Sequence, residues 1–75
     1  MTKIQTVDAL GLLCPLPTLR VAKVLRSSGS GEIVKLLADD PVAVVDVPNF
    51  CRELGHHLIS VTAQERGHAF LIKAK

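Results

Sequence analysis

The sequence predicts a two-layer α/β sandwich: a four-stranded mixed sheet with two helices on one face, in the order β-α-β-α-β-β. Three observations carry that prediction. Short apolar segments of strand character alternate with helical patterns, a proline-marked start signal opens each helical stretch, and clusters of Gly, Ser and Asp punctuate the boundaries. The 75 residues, 48% apolar and 21% charged, suit one globular domain spanning 1–75 with room for a single small core. Disorder is excluded by the same composition.

Residues 3–9 read as the first strand, and 15–27 as a helix that stops at Ser27-Ser28-Gly29-Ser30-Gly31, a cluster with C-terminal and turn chemistry. Residues 32–38 are apolar at nearly every position, as a central strand requires. Asp39-Asp40-Pro41 then opens a second helical region, which Pro48 interrupts and kinks before Asn49 to Leu54 complete it at Gly55. Residues 57–64 and 68–74 alternate as strands, and Glu65-Arg66-Gly67 marks a tight hairpin between them. Right-handed crossovers between the first three strands place both helices on the same side of the sheet. On the first helix, Pro17, Thr18, Val21, Ala22, Val24 and Leu25 share the core side, while Arg20, Lys23 and Arg26 gather opposite.

The stretch richest in chemistry is Gly11-Leu12-Leu13-Cys14-Pro15-Leu16-Pro17. Proline suits the first helical position, where its missing N–H has no intrahelical partner. With Pro15 there, Cys14 is the N-cap, its sulfur at the positive end of the helix dipole and near the free N–H groups of Leu16 and Thr18. Such a position favours a thiolate, the nucleophilic form of cysteine. Leu16 and Leu19 fall among the basic residues of that helix and close to Cys14. They are candidate docking residues together with Arg20 and Lys23, the alternative being ordinary exposed leucines or packing under the loop of residues 10–13.

The N-terminal residues lack the apolar core of a signal peptide, and no apolar run reaches the roughly 20 residues of a membrane span, so a cytoplasmic protein without a membrane partner is expected. With only two cysteines, a disulfide framework is not expected. Cys51 shares a helix side with Phe50 and Leu54 and reads first as a buried core thiol. Its alternative is a second reactive thiol that pairs with Cys14, which needs Cα atoms within about 7 Å. His56, His57 and His68 do not make a metal site, because adjacent histidines entering a strand point to opposite faces. Asp39 and Asp40 look like paired carboxylates, but one of them before Pro41 is explained as an N-cap.

Leu10-Gly11-Leu12-Leu13-Cys14-Pro15-Leu16-Pro17 resembles the Cys-Pro-x-Pro signature of the TusA/SirA-like sulfur carriers. Ala38-Asp39-Asp40-Pro41 and Asp46-Val47-Pro48-Asn49-Phe50-Cys51 resemble a second segment shared by close TusA relatives, so the likeness covers nearly the whole chain. TusA members often carry an acidic residue between the two prolines, where this chain has Leu16, a position expected to face the partner. The resemblance implies a sulfurtransferase in which Cys14 takes up sulfane sulfur as a persulfide and passes it to another protein's cysteine. Pro15, Leu16, Pro17 and Thr18 would form the supporting helix N-terminus, and no cofactor is implied beyond the covalent persulfide. Implied donors are a cysteine desulfurase or a rhodanese, and the implied acceptor is a DsrE-type or other sulfur-accepting protein, serving tRNA 2-thiouridine synthesis or dissimilatory sulfur metabolism.

Two other classes stay open at this level. A noncatalytic module could bind RNA or an acidic protein through Arg20, Lys23 and Arg26, although the net charge is only +2 and no Trp or Tyr offers a stacking platform beside Phe50 and Phe70. A thiol-disulfide redox protein could use Cys14 and Cys51, although a Cys-x-x-Cys spacing is missing.

Overall fold

The computed structural model describes residues 4–75. Its elements are β1 (Ile4–Asp8), α1 (Leu16–Ser27), β2 (Ile33–Ala38), α2 (Ala43–Leu54), β3 (His57–Ala63) and β4 (His68–Lys73). They form the expected β-α-β-α-β-β sandwich around a single sheet ordered β1-β2-β4-β3. β1 runs parallel to β2, and β4 lies antiparallel to both β2 and β3, so the sheet is mixed. Boundaries differ from the sequence reading by a residue at most of the strand ends, and Lys3 of the expected first strand lies outside the described residues.

Inward-facing residues of the two inner strands build the core. Along β2 the side chains alternate, Val34, Leu36 and Ala38 being buried, and the register pairs Val34 with Ile72 and Leu36 with Phe70 on β4. Phe70, Leu36, Ile72, Val21, Val34, Val47 and Cys51 are fully buried where the helices cover these strands. α1 contributes Pro17, Val21 and Leu25, spaced four apart, and α2 contributes Ala43, Val47 and Cys51 at the same spacing. Burying each large apolar side chain is worth about 1.5–3 kcal/mol, which suffices to fix both helices against the sheet.

The second helix departs from expectation at both proline signals. Asp40 is not the N-cap that was expected: its Oδ1 accepts the Val42 N–H at 3.0 Å within the turn that also holds Pro41, while Val42 is the N-cap and the helix opens only at Ala43. Pro48 does not interrupt the helix, which is a single element of 12 residues. An interior proline removes one i→i−4 bond and costs about 3 kcal/mol. Ala43, Val47 and Cys51 bury one continuous stripe on both sides of Pro48, and that burial holds the helix together across the missing bond. α2 ends at Gly55, whose left-handed φ of 80° allows the His56 N–H to reach the Cys51 carbonyl at 2.9 Å.

The β3–β4 hairpin closes with the Gln64 N–H on the Gly67 carbonyl at 2.9 Å. Gly67 cannot carry a side chain: a Cβ there would stand 2.2 Å from the Ala38 carbonyl oxygen, and its φ is +75°. That close approach seats the hairpin against Ala38 and Asp39, at the end of β2 from which the functional loop is held.

Candidate functional site

Because β1 and β2 are parallel, both strands end at the same edge of the sheet, and the chain enters α1 and α2 side by side. A shallow crevice lies between these openings, lined by Cys14, Pro17, Thr18, Asp40, Ala43 and Asp46. Cys14 stands exposed at its mouth. The Cys14 N–H donates to Oδ2 of Asp40 at 2.6 Å, so the carboxylate that caps the turn before α2 also anchors the cysteine's backbone. The Cys14 thiol donates to Oδ2 of Asp46, a residue of the first turn of α2.

Two expectations for Cys14 are corrected by this geometry. The N-cap of α1 is Pro15, with Pro17 at the second helical position, so Cys14 lies one residue farther out than predicted. The cause is a turn in which the Leu16 N–H donates to the Leu13 carbonyl at 2.9 Å, while the first helical bond runs from Leu19 to Pro15 at 3.1 Å. The peptide bond between Cys14 and Pro15 is cis. The Leu16 N–H is thus already engaged, and Thr18 turns its hydroxyl onto the Pro15 carbonyl at 2.8 Å.

The second correction concerns ionisation. The hydrogen bond to Asp46 pushes the Cys14 thiol above its ordinary range, with desolvation and the negative charges of Asp46 and Asp40 acting in the same direction. A helix N-terminus supplies only about half a positive charge. Two carboxylates, one in direct contact with the sulfur, outweigh it. The carboxylates of Asp46 and Asp40 thus work against the thiolate that the helix dipole was expected to favour.

A neighbouring contact fixes the loop that leads to Cys14. Asp39 accepts the Gly11 N–H on Oδ1 at 2.9 Å and the Arg66 Nε–H on Oδ2 at 2.6 Å, tying the loop to the β3–β4 hairpin. These two donors hold the Asp39 carboxyl below the usual carboxylate range, the Gly11 N–H most of all. Asp39 and Asp40 are thus neither a catalytic pair nor alternative caps. One ties the loop to the hairpin, and the other ties it to α2.

The sequence matches the family described as sulfurtransferase TusA over residues 5–74, nearly its full length. The chain belongs to that family. A crystal structure of a SirA-like protein from Desulfitobacterium hafniense superposes with a TM-score of 0.76 at 25% sequence identity, covering 95% of each chain. Membership in the TusA family gives the chain a general role as a sulfur-relay protein, a sulfurtransferase.

Within this TusA family member, the other residues singled out by sequence occupy distinct places. Leu16 and Leu19 are exposed, at 48% and 59%, and share a shallow groove with Leu12, Arg20 and Lys23 beside the Cys14 loop. Arg20 also donates to the Asp8 carbonyl at 3.0 Å, which bolts α1 to the end of β1. Cys51 is buried on α2, and burial pushes its thiol up to about 11. Both cysteines are free thiols in unlike surroundings. His57 is exposed at the start of β3, and His56 accepts the Lys75 N–H on Nδ1 at 3.2 Å. Among the described residues, no three His, Cys, Asp or Glu side chains are grouped to hold a metal ion, and no helix is long and apolar enough to cross a membrane. Phe70 is fully buried, and the half-buried Phe50 packs against the core.

Asp46, which accepts the Cys14 thiol hydrogen bond, is the site residue to which sequence reasoning gave no role. Its signal was topological: two helices that follow parallel strands must open at one edge, which brings acidic residues near the start of the second within reach of a cysteine before the first.

Proposed function

We propose that this protein carries sulfane sulfur as a persulfide on Cys14, receiving it from a cysteine persulfide of a donor protein and handing it to a cysteine of an acceptor. The observation that carries this reading is an exposed thiol at the mouth of a crevice, anchored through its own backbone N–H to Asp40, in a chain of the TusA family. Cysteine desulfurases and rhodaneses both present the required persulfide. A DsrE-type protein or another sulfur-accepting cysteine completes the relay, toward tRNA 2-thiouridine or dissimilatory sulfur metabolism. Loading forms a bond between Cys14 Sγ and the donor's outer sulfur as the donor S–S bond breaks, and unloading repeats the step with Cys14 as leaving group. Atoms and electrons balance without a cofactor. Two free thiols suit the reducing cytoplasm, where we place the protein.

Docking is assigned to the exposed groove of Leu16, Leu19, Arg20 and Lys23, apolar and basic side chains on the helix that follows Cys14. The test is a pulse-chase with sulfur-labelled cysteine and a desulfurase, or labelled thiosulfate and a rhodanese, followed by addition of a DsrE-type acceptor. Label should move from donor to this chain and then to the acceptor. Leu16→Glu should slow loading from the protein donor and leave loading by a small-molecule persulfide unchanged. Label that never leaves this chain would contradict the carrier role, and equal slowing with both donors would remove the docking assignment.

A further inference from the structure

Reactive cysteines ordinarily sit beside positive charge. Cys14 has the opposite surroundings. From the turn before α2, Asp40 faces it through the Cys14 N–H, and from α2 itself Asp46 accepts the thiol hydrogen bond. From α1 come only Pro17 and Thr18, and among the described residues no Lys, Arg or His lines the crevice. The hydrogen bond from Sγ spans 32 positions of sequence and is the thiol's direct link to α2.

We propose that Asp46 keeps the empty carrier as a protonated thiol, and that adding sulfur to Cys14 releases the site from that restraint. The proposal rests on the carrier reading for its purpose, though the ionisation of Cys14 can be measured without any sulfur. In loading, the thiol proton leaves to solvent against the restraint of the Asp46 charge, and the Sγ thiolate attacks the donor's outer sulfur. The Sγ–S bond forms, the donor S–S bond breaks, and the departing donor thiolate takes up a proton from solvent. The ionisable atom is then the added sulfur, one S–S bond of about 2 Å beyond Sγ, where the Asp46 charge acts over a longer distance and more weakly. An exposed empty carrier is thereby a poor nucleophile toward stray electrophiles, while the loaded carrier bears its negative charge outward. The upward push on the Cys14 thiol already described agrees with this arrangement.

The experiment is the rate of Cys14 alkylation by iodoacetamide across pH for the wild-type chain, Asp46→Asn and Asp46→Glu, read by intact mass, with circular dichroism confirming the fold of each. Asp46→Asn keeps the side-chain shape and removes the charge. Its profile should shift to lower pH, with alkylation several times faster near neutrality, and Asp46→Glu should restore wild-type behaviour. Small-molecule persulfide loading near neutrality should accelerate in Asp46→Asn in the same proportion. Coincident wild-type and Asp46→Asn profiles, in a chain that still loads sulfur, would overturn this proposal alone. A wild-type chain that takes no sulfur while Asp46→Asn still shifts the alkylation profile would leave the restraint standing and sink the carrier reading instead.

Discussion

The two cysteines of this chain are both harder to ionise than a free thiol, and for different physical reasons. Cys51 is raised by burial among the core residues of α2, whereas Cys14 is exposed and is raised first by the carboxylate that accepts its hydrogen bond. The difference separates inertness that is permanent from inertness that can be lifted. Burial protects Cys51 for as long as the fold persists. A hydrogen bond at the mouth of a crevice can be broken by a partner or by a sulfur atom without unfolding anything.

The comparison breaks most directly on accessibility. Alkylation of the native protein should modify Cys14 and leave Cys51 untouched, with both reacting once the chain is unfolded in denaturant, as peptide mass mapping would show. Modification of Cys51 under native conditions at a similar rate would erase the distinction. A smaller effect is expected in stability. Cys51→Ser places a hydroxyl in an apolar site and should cost about 1–3 kcal/mol, whereas Cys14→Ser should stay within about 0.5 kcal/mol of wild type, both read from urea midpoints.

The smallest effect is a pH dependence. With Cys51 at about 11 in the folded chain against an ordinary 9.0, the unfolded chain binds fewer protons between those values. Stability from this thiol is therefore fully present below about pH 9 and falls as pH rises to about 11, by on the order of 2 kcal/mol. Cys14 shifts in the same direction, so the diagnostic quantity is the change in slope caused by Cys51→Ala. An unchanged slope between pH 9 and 11 would mean that burial of Cys51 does not govern its ionisation.

Most of the fold could be read from sequence because its signals are local: apolar alternation on β2, a stripe at four-residue spacing on α1, and Gly67 where the hairpin meets Ala38. Pro48 misled because a local rule about helix interruption met a buried stripe that spans it, and tertiary burial prevailed. The site was half legible. Cys14 stood out through its prolines, but the sign of its ionisation did not, since the deciding carboxylate sits 32 positions away on another helix. A helix dipole can be inferred from one segment. The charge opposing it requires knowing which helix openings share an edge of the sheet.

Whether Cys14 alone carries sulfur is decided by intact-protein mass spectrometry. Reduced wild type, Cys14→Ser and Cys51→Ser would each be exposed to a cysteine desulfurase with cysteine, and separately to a rhodanese with thiosulfate. Wild type and Cys51→Ser should show a reducible gain of one or more sulfur atoms, absent in Cys14→Ser. A gain that survives in Cys14→Ser, or a loss of two hydrogens that requires both cysteines, would contradict a carrier role for Cys14 alone.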